Sequence, residues 1–79
     1  MNIKIFGLGC KKCEAMEREV KKVIEELGIE AEVEKITDMA KIAESPVLVT
    51  PGLLINGKVK TYGRVPRREE IIKWIQEER

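Results

Sequence analysis

Cys10 and Cys13, the only two cysteines in this 79-residue chain, stand three apart in Gly7-Leu8-Gly9-Cys10-Lys11-Lys12-Cys13. A thiolate is a nucleophile, a leaving group and a soft metal ligand, so a pair at this spacing suits disulfide exchange or metal capture. The chain has no histidine. That removes imidazole as a general base and rules out a mixed cysteine-histidine zinc site within one chain.

The flanking residues indicate where the pair sits. Before it, Ile3 and Ile5 alternate with Asn2 and Lys4, the period of a strand. After it, Cys13, Met16, Val20, Val23, Ile24 and Leu27 recur at spacings of three and four, so they share one face of a helix that runs to about Gly28. The pair therefore occupies a strand-to-helix turn. Unpaired N–H groups and the positive end of the helix dipole would stabilise a thiolate at Cys10, and Lys11 and Lys12 add cationic charge beside it. Each effect lowers a cysteine pKa from its free value of about 8.5, which makes Cys10 the expected attacking thiol. Cys13 falls on the apolar stripe, where burial suits a resolving thiol.

Three other uses of the pair remain open on these residues alone. Plain hydrophobic packing fits Cys10 poorly, because a glycine-rich turn offers it no core face. A structural disulfide would close a loop too short to remove much unfolded-state entropy. Binding of copper or zinc by Cys10 and Cys13, in a soft-metal carrier or thiolate sensor, is the serious rival. The loop is close to the glycine-methionine-x-cysteine-x-x-cysteine loop of heavy-metal carriers.

Length and composition narrow the field. Seventy-nine residues form one small domain, 1–79, close to the size at which a single core suffices and too small for a large substrate pocket. The 15 basic and 14 acidic residues are interspersed, so there is no electrostatic footprint for nucleic acid. No segment has the pattern of a secretion signal or the length of a membrane span, which places the chain in the cytoplasm with no membrane partner. There a Cys-x-x-Cys pair is more often catalytic or metal-binding than structural. The 37% of charged residues, with Gln76 the only glutamine, resembles the composition of proteins from hot environments.

The rest of the chain supplies the frame. Glu14, Glu17, Arg18, Lys21, Lys22, Glu25 and Glu26 form the solvated side of the first helix, and Gly28 ends it. Residues 29–36 alternate Ile29, Ala31 and Val33 with Glu30, Glu32 and Glu34, predicting a charged edge strand parallel to the first. Thr37 or Asp38 caps a short helix to about Glu44, expected to bury Met39, Ile42 and Ala43 before Pro46 stops it. Pro51 breaks the apolar run 47–55, so the next strand is Gly52 to Ile55. Asn56-Gly57 turns the chain back as a strand from Lys58 to Tyr62 with Val59 as its main inward residue. Pro66 is placed at the first position of a final helix that buries Ile71, Ile72 and Ile75, with Trp74 and Tyr62 as packing residues. The order β-α-β-α-β-β-α ends on a helix, whereas the metal carriers run β-α-β-β-α-β.

In Gly9-Cys10-Lys11-Lys12-Cys13, Thr50-Pro51-Gly52, Ile55-Asn56-Gly57-Lys58-Val59 and Gly63-Arg64-Val65-Pro66, the sequence resembles the small redox-active disulfide proteins of the thioredoxin-like, glutaredoxin-sized group. The resemblance covers essentially the whole chain. It implies an α/β thioredoxin-like fold, a four-stranded mixed sheet flanked by helices. It also implies a protein dithiol-disulfide oxidoreductase with Cys10 attacking and Cys13 resolving, and a cis Thr50-Pro51 peptide that faces the pair and docks substrate. No cofactor is expected beyond the Cys10-Cys13 redox-active disulfide. The implied partners are a protein disulfide substrate and a disulfide reductase as electron donor, with the protein a monomer. Three departures stand out: Lys11-Lys12 replaces the Gly-Pro of thioredoxins and the Pro-Tyr of glutaredoxins, no tryptophan precedes Cys10, and Lys4 occupies the position where thioredoxins bury an acid.

Overall fold

A computed structural model describes all 79 residues. The first strand, β1 (Asn2–Phe6), lies inside the sheet, with the parallel edge strand β2 (Glu32–Ile36) on one side and the antiparallel β3 (Gly52–Ile55) on the other. The second edge is β4 (Lys58–Tyr62), joined to β3 through Asn56-Gly57, both with positive φ as such a hairpin requires. The sheet order is β2-β1-β3-β4. Three helices complete the chain: α1 (Lys11–Leu27), α2 (Met39–Glu44) and α3 (Arg68–Glu77).

Alternation along the strands divides the sheet into two unlike faces. Ile3, Ile5, Leu53 and Ile55 point to one side and pack with Met16, Val20 and Val23 of α1 and Ile71 and Ile75 of α3 in a nine-residue core, each at most 2% exposed. Phe6, Ile36, Leu54 and the loop residue Val47 form a smaller cluster on the other side. Trp74 packs at the margin of the main core, as expected.

Several details depart from the sequence reading. Strand β2 begins at Glu32 rather than Ile29, because the Gly28 and Ile29 N–H groups still donate to Glu25 and Ile24 carbonyls as the left-handed end of α1. Helix α2 starts where Asp38 caps it, through the Ala40 N–H at 2.9 Å, but buries nothing: Met39 is 68% exposed, Ala43 is exposed and Ile42 is half-buried. Its six residues are too few to present a continuous stripe, and Val47 seals that face instead, lying where a Cβ on Gly52 would be 2.4 Å from its Cγ1.

A β-bulge in the β3–β4 ladder pairs Leu53 with Thr61 but Leu54 with Val59. The extra residue reverses the alternation, so Thr61 takes the buried position and Val59 only flanks the smaller cluster. Pro66 precedes the last helix rather than starting it. The Glu70 carboxylate accepts the Arg67 N–H at 3.0 Å, which fixes the start of α3 at Arg68. Within α3 Ile71 and Ile75 are buried, while Ile72 is half-buried.

Candidate active site

After β1 the chain stays pinned to the sheet for one more residue, the Gly7 N–H donating to the Ile36 carbonyl at 3.0 Å. Gly9 then turns at φ 86°, a conformation that favours glycine, and delivers Cys10 to the N-cap of α1. Cys10 takes the extended backbone of an N-cap, and its carbonyl accepts the Glu14 N–H at 3.0 Å. Its Sγ does what a serine or aspartate oxygen does in this position and accepts the Cys13 N–H at 3.2 Å. Cys13 is 5% exposed and Cys10 lies in the open; both are free thiols.

The two sulfurs are driven apart in acidity. Cys10 is lowered, first by a hydrogen bond from the Cys13 side chain and then by backbone N–H groups, including those of Cys13 and Lys12. Cys13 is raised, first by burial and then by the same hydrogen bond to Cys10. Lys11 and Lys12 are exposed and make no ion pair, and the largest influences on Cys10 come from the dithiol and the helix start rather than from their ammonium groups. Lys4, in the position of the thioredoxin acid, points to the other face of the sheet, where it lines a cleft with Lys41 and Glu44. No carboxylate figures among the influences on Cys13.

The Thr50–Pro51 peptide is cis. Pairing of Phe6 with Gly52 sets Pro51 just beyond β3, at the end of the sheet where β1 runs into Gly7 and the cysteine loop. Pro51 is buried and its carbonyl accepts the Gly63 N–H at 2.8 Å, whereas Thr50, half-buried, hydrogen-bonds to nothing in the chain.

Neither cysteine lines a cavity; the clefts lie at the opposite end of the sheet, around Met1, Glu30 and Asn56, and beneath α2. The large apolar side chains left in solvent are Leu8, Met39, Leu48, Val49 and Tyr62. By strand register, all five lie at strand ends or in the adjoining segments at the cysteine end of the sheet. Tyr62, expected to pack, is 43% exposed there. Periodicity does not reveal this grouping, because it arises only when four strand ends are brought together. The fold gathers no cluster of three or more His, Cys, Asp or Glu side chains that would complete a metal site around the pair.

A mixed four-stranded sheet with a Cys-x-x-Cys pair opening the helix after its first strand, and a cis-proline at the same end of the sheet, is the arrangement of the thiol-disulfide exchange proteins. Comparison with known proteins agrees. The thioredoxin domain family matches residues 1–76. A thioredoxin of Methanothermobacter thermautotrophicus is 44% identical over 73 residues, covering 92% of this chain and 95% of the relative. A thioredoxin of Methanocaldococcus jannaschii is 49% identical over 69 residues, covering 87% and 79%. Among solved structures, thioredoxin 1 from the thermophilic eubacterium Thermosipho africanus aligns with a TM-score of 0.65 at 23% identity, over 99% of this chain and 93% of that one, and shares the fold.

The chain belongs to the thioredoxin domain family. It is accordingly a protein disulfide oxidoreductase, and the soft-metal carrier reading finds no support among its relatives. No helix is long and apolar enough to cross a membrane.

Proposed function

We propose that residues 1–79 act as a single-domain, monomeric dithiol reductant of protein disulfides in a reducing compartment, the cytoplasm, with Cys10 as nucleophile and Cys13 as resolving thiol. The Cys10 thiolate attacks one sulfur of the substrate disulfide, forms a mixed disulfide and expels the other substrate sulfur as a thiolate. Cys13 loses its proton and attacks Cys10 Sγ. The Cys10–substrate bond then breaks, its electron pair leaves on the substrate sulfur, and the Cys10–Cys13 disulfide forms. Two electrons have passed to the substrate, which takes up two protons as two thiols. A disulfide reductase supplying two electrons restores the dithiol, and no other cofactor is required.

The observation that carries this reading is the Cys13 N–H bond to an exposed Cys10 Sγ at the head of α1, with Cys13 itself buried behind it. One thiol is thereby activated and accessible, while the other is sheltered until the first has reacted. Thr50 and Pro51 serve as the docking edge: the free N–H and C=O of Thr50 can pair with an extended substrate backbone, and the exposed apolar side chains around it suit a protein segment better than a small molecule. Lys11 and Lys12 further stabilise the Cys10 thiolate through their charge.

In the test, each variant is mixed with a disulfide-bonded protein substrate. Cys13→Ser should accumulate a covalent mixed disulfide, whereas Cys10→Ser should give neither adduct nor turnover. An adduct through Cys13 in the Cys10→Ser protein, at the rate of the parent, would reverse the assignment.

A further inference from the structure

Gly7 is one residue past the end of β1, and its φ is not positive, so backbone conformation does not require glycine there. The requirement is spatial. A Cβ built on Gly7 would lie 2.3 Å from Cys13 Sγ and 3.0 Å from Cys13 Cβ, well inside the 3.4 Å at which ordinary contact begins. The Gly7 backbone has little freedom to yield, because its N–H is bonded to Ile36 across the sheet and the residue is buried. Cys13 is held just as firmly, as a buried residue in the first turn of α1, in line with Met16 and Val20. The Cys13 sulfur is thus lodged against bare backbone, in space that any side chain at residue 7 would take.

Resting on the dithiol mechanism above, we infer that Gly7 is a positioning residue for the resolving thiol: its missing side chain sets how deep the Cys13 sulfur sits and so its line to Cys10. Cys13 has no carboxylate to hold or deprotonate it, since Lys4 stands in the acid's position and faces the other side of the sheet. Its placement therefore rests on packing, and on the Gly7 side there is no room for even a methyl group. A methyl group would push the sulfur back by about 1 Å, the difference between 2.3 and 3.4 Å. Misplacement of a reacting group by about 1 Å costs on the order of 10²-fold in rate. The same displacement weakens the Cys13 side-chain hydrogen bond, the leading cause of the lowered pKa of Cys10.

The test is a cycle of Gly7→Ala in the parent and in Cys13→Ala, the second background lacking the sulfur that would clash. Two quantities are read: the pH midpoint of Cys10 alkylation, and the lifetime of the mixed disulfide with a protein substrate. In the parent, Gly7→Ala should move the midpoint up toward the free-thiol value of about 8.5 and lengthen the mixed-disulfide lifetime by on the order of 10²-fold. In Cys13→Ala it should leave the midpoint unmoved. An equal midpoint shift in both backgrounds would mean that Gly7 acts on the fold rather than on the sulfur, and an unchanged lifetime in the parent would also overturn the inference. Failure of Cys10 to form any mixed disulfide in Cys13→Ala would instead sink the underlying mechanism.

Discussion

The two faces of the sheet are built from adjacent residues of the same strands, yet one is covered by two long helices and the other by a single short one. On the first face α1 and α3 bury nine residues almost completely. On the second, four residues cluster beneath a loop and a six-residue helix that contributes no buried side chain. The dithiol belongs to the first face, since Cys13 continues the stripe of Met16, Val20 and Val23. Thr50 and the exposed Leu48 and Val49 belong to the loop that closes the second. The resolving sulfur, which must meet Cys10 in one geometry, is anchored on the better-packed face, whereas the loop leading to the segment proposed to receive varied substrates leaves Leu48 and Val49 in solvent.

The sharpest way to break this comparison uses neighbours on one strand. Leu53 is 0% exposed within the nine-residue core and Leu54 is 6% exposed in the smaller cluster. A buried Leu→Ala substitution costs about 2–5 kcal/mol, with the higher figures where the surroundings cannot collapse into the cavity. Leu53→Ala should fall near the top of that range and Leu54→Ala near the bottom, as read from urea midpoints at equal m-value. Equal losses would show that the two faces are equally rigid.

A smaller effect tests whether ion pairs contribute to the difference. Arg64 forms two hydrogen bonds to Glu70, at 2.9 and 2.6 Å, beside the start of α3. With the Arg67 N–H this holds the Glu70 carboxyl down at about 2 instead of its usual 4.5. Because the folded value is the lower one, the contribution is complete above pH 4.5 and is lost as pH falls toward 2. Glu70 is on the surface, where such pairs contribute little. Glu70→Gln should leave stability at pH 7 nearly unchanged and flatten its decline between pH 4.5 and 2, as followed by thermal melts across that range. A large loss at pH 7 would mean that the better-packed face depends on this clasp.

The strength of each signal in the sequence matches the packing around it. Strand β1, helix α1 and the hairpin strands emerge at their observed positions because Ile3 and Ile5, the Cys13-to-Leu27 stripe, and Asn56-Gly57 each combine a clear period with a clear stop. The misplaced details share one cause: the surroundings of a segment, through a contact made or a partner missing, overrule its local pattern. Met39 and Ala43 lie on the expected stripe of α2 but have no second helix to meet. Val59 loses its inward place to a bulge that alternation cannot foresee, and Pro66 yields the helix start to a carboxylate four residues later. At the site, the roles expected of Cys10 and Cys13 follow from their place at a helix start. The closeness of Gly7 to the second sulfur, and the gathering of apolar side chains at one end of the sheet, exist only in three dimensions.

The central claim is that one turn of helix gives two thiols opposite character, and its most direct test is alkylation of the reduced protein across pH with mass mapping of each cysteine. Cys10 should be modified first at every pH, with a midpoint below the free-thiol value of about 8.5, while Cys13 reacts later and with a midpoint above it. Faster labelling of Cys13, or a single shared midpoint for both cysteines, would contradict the account.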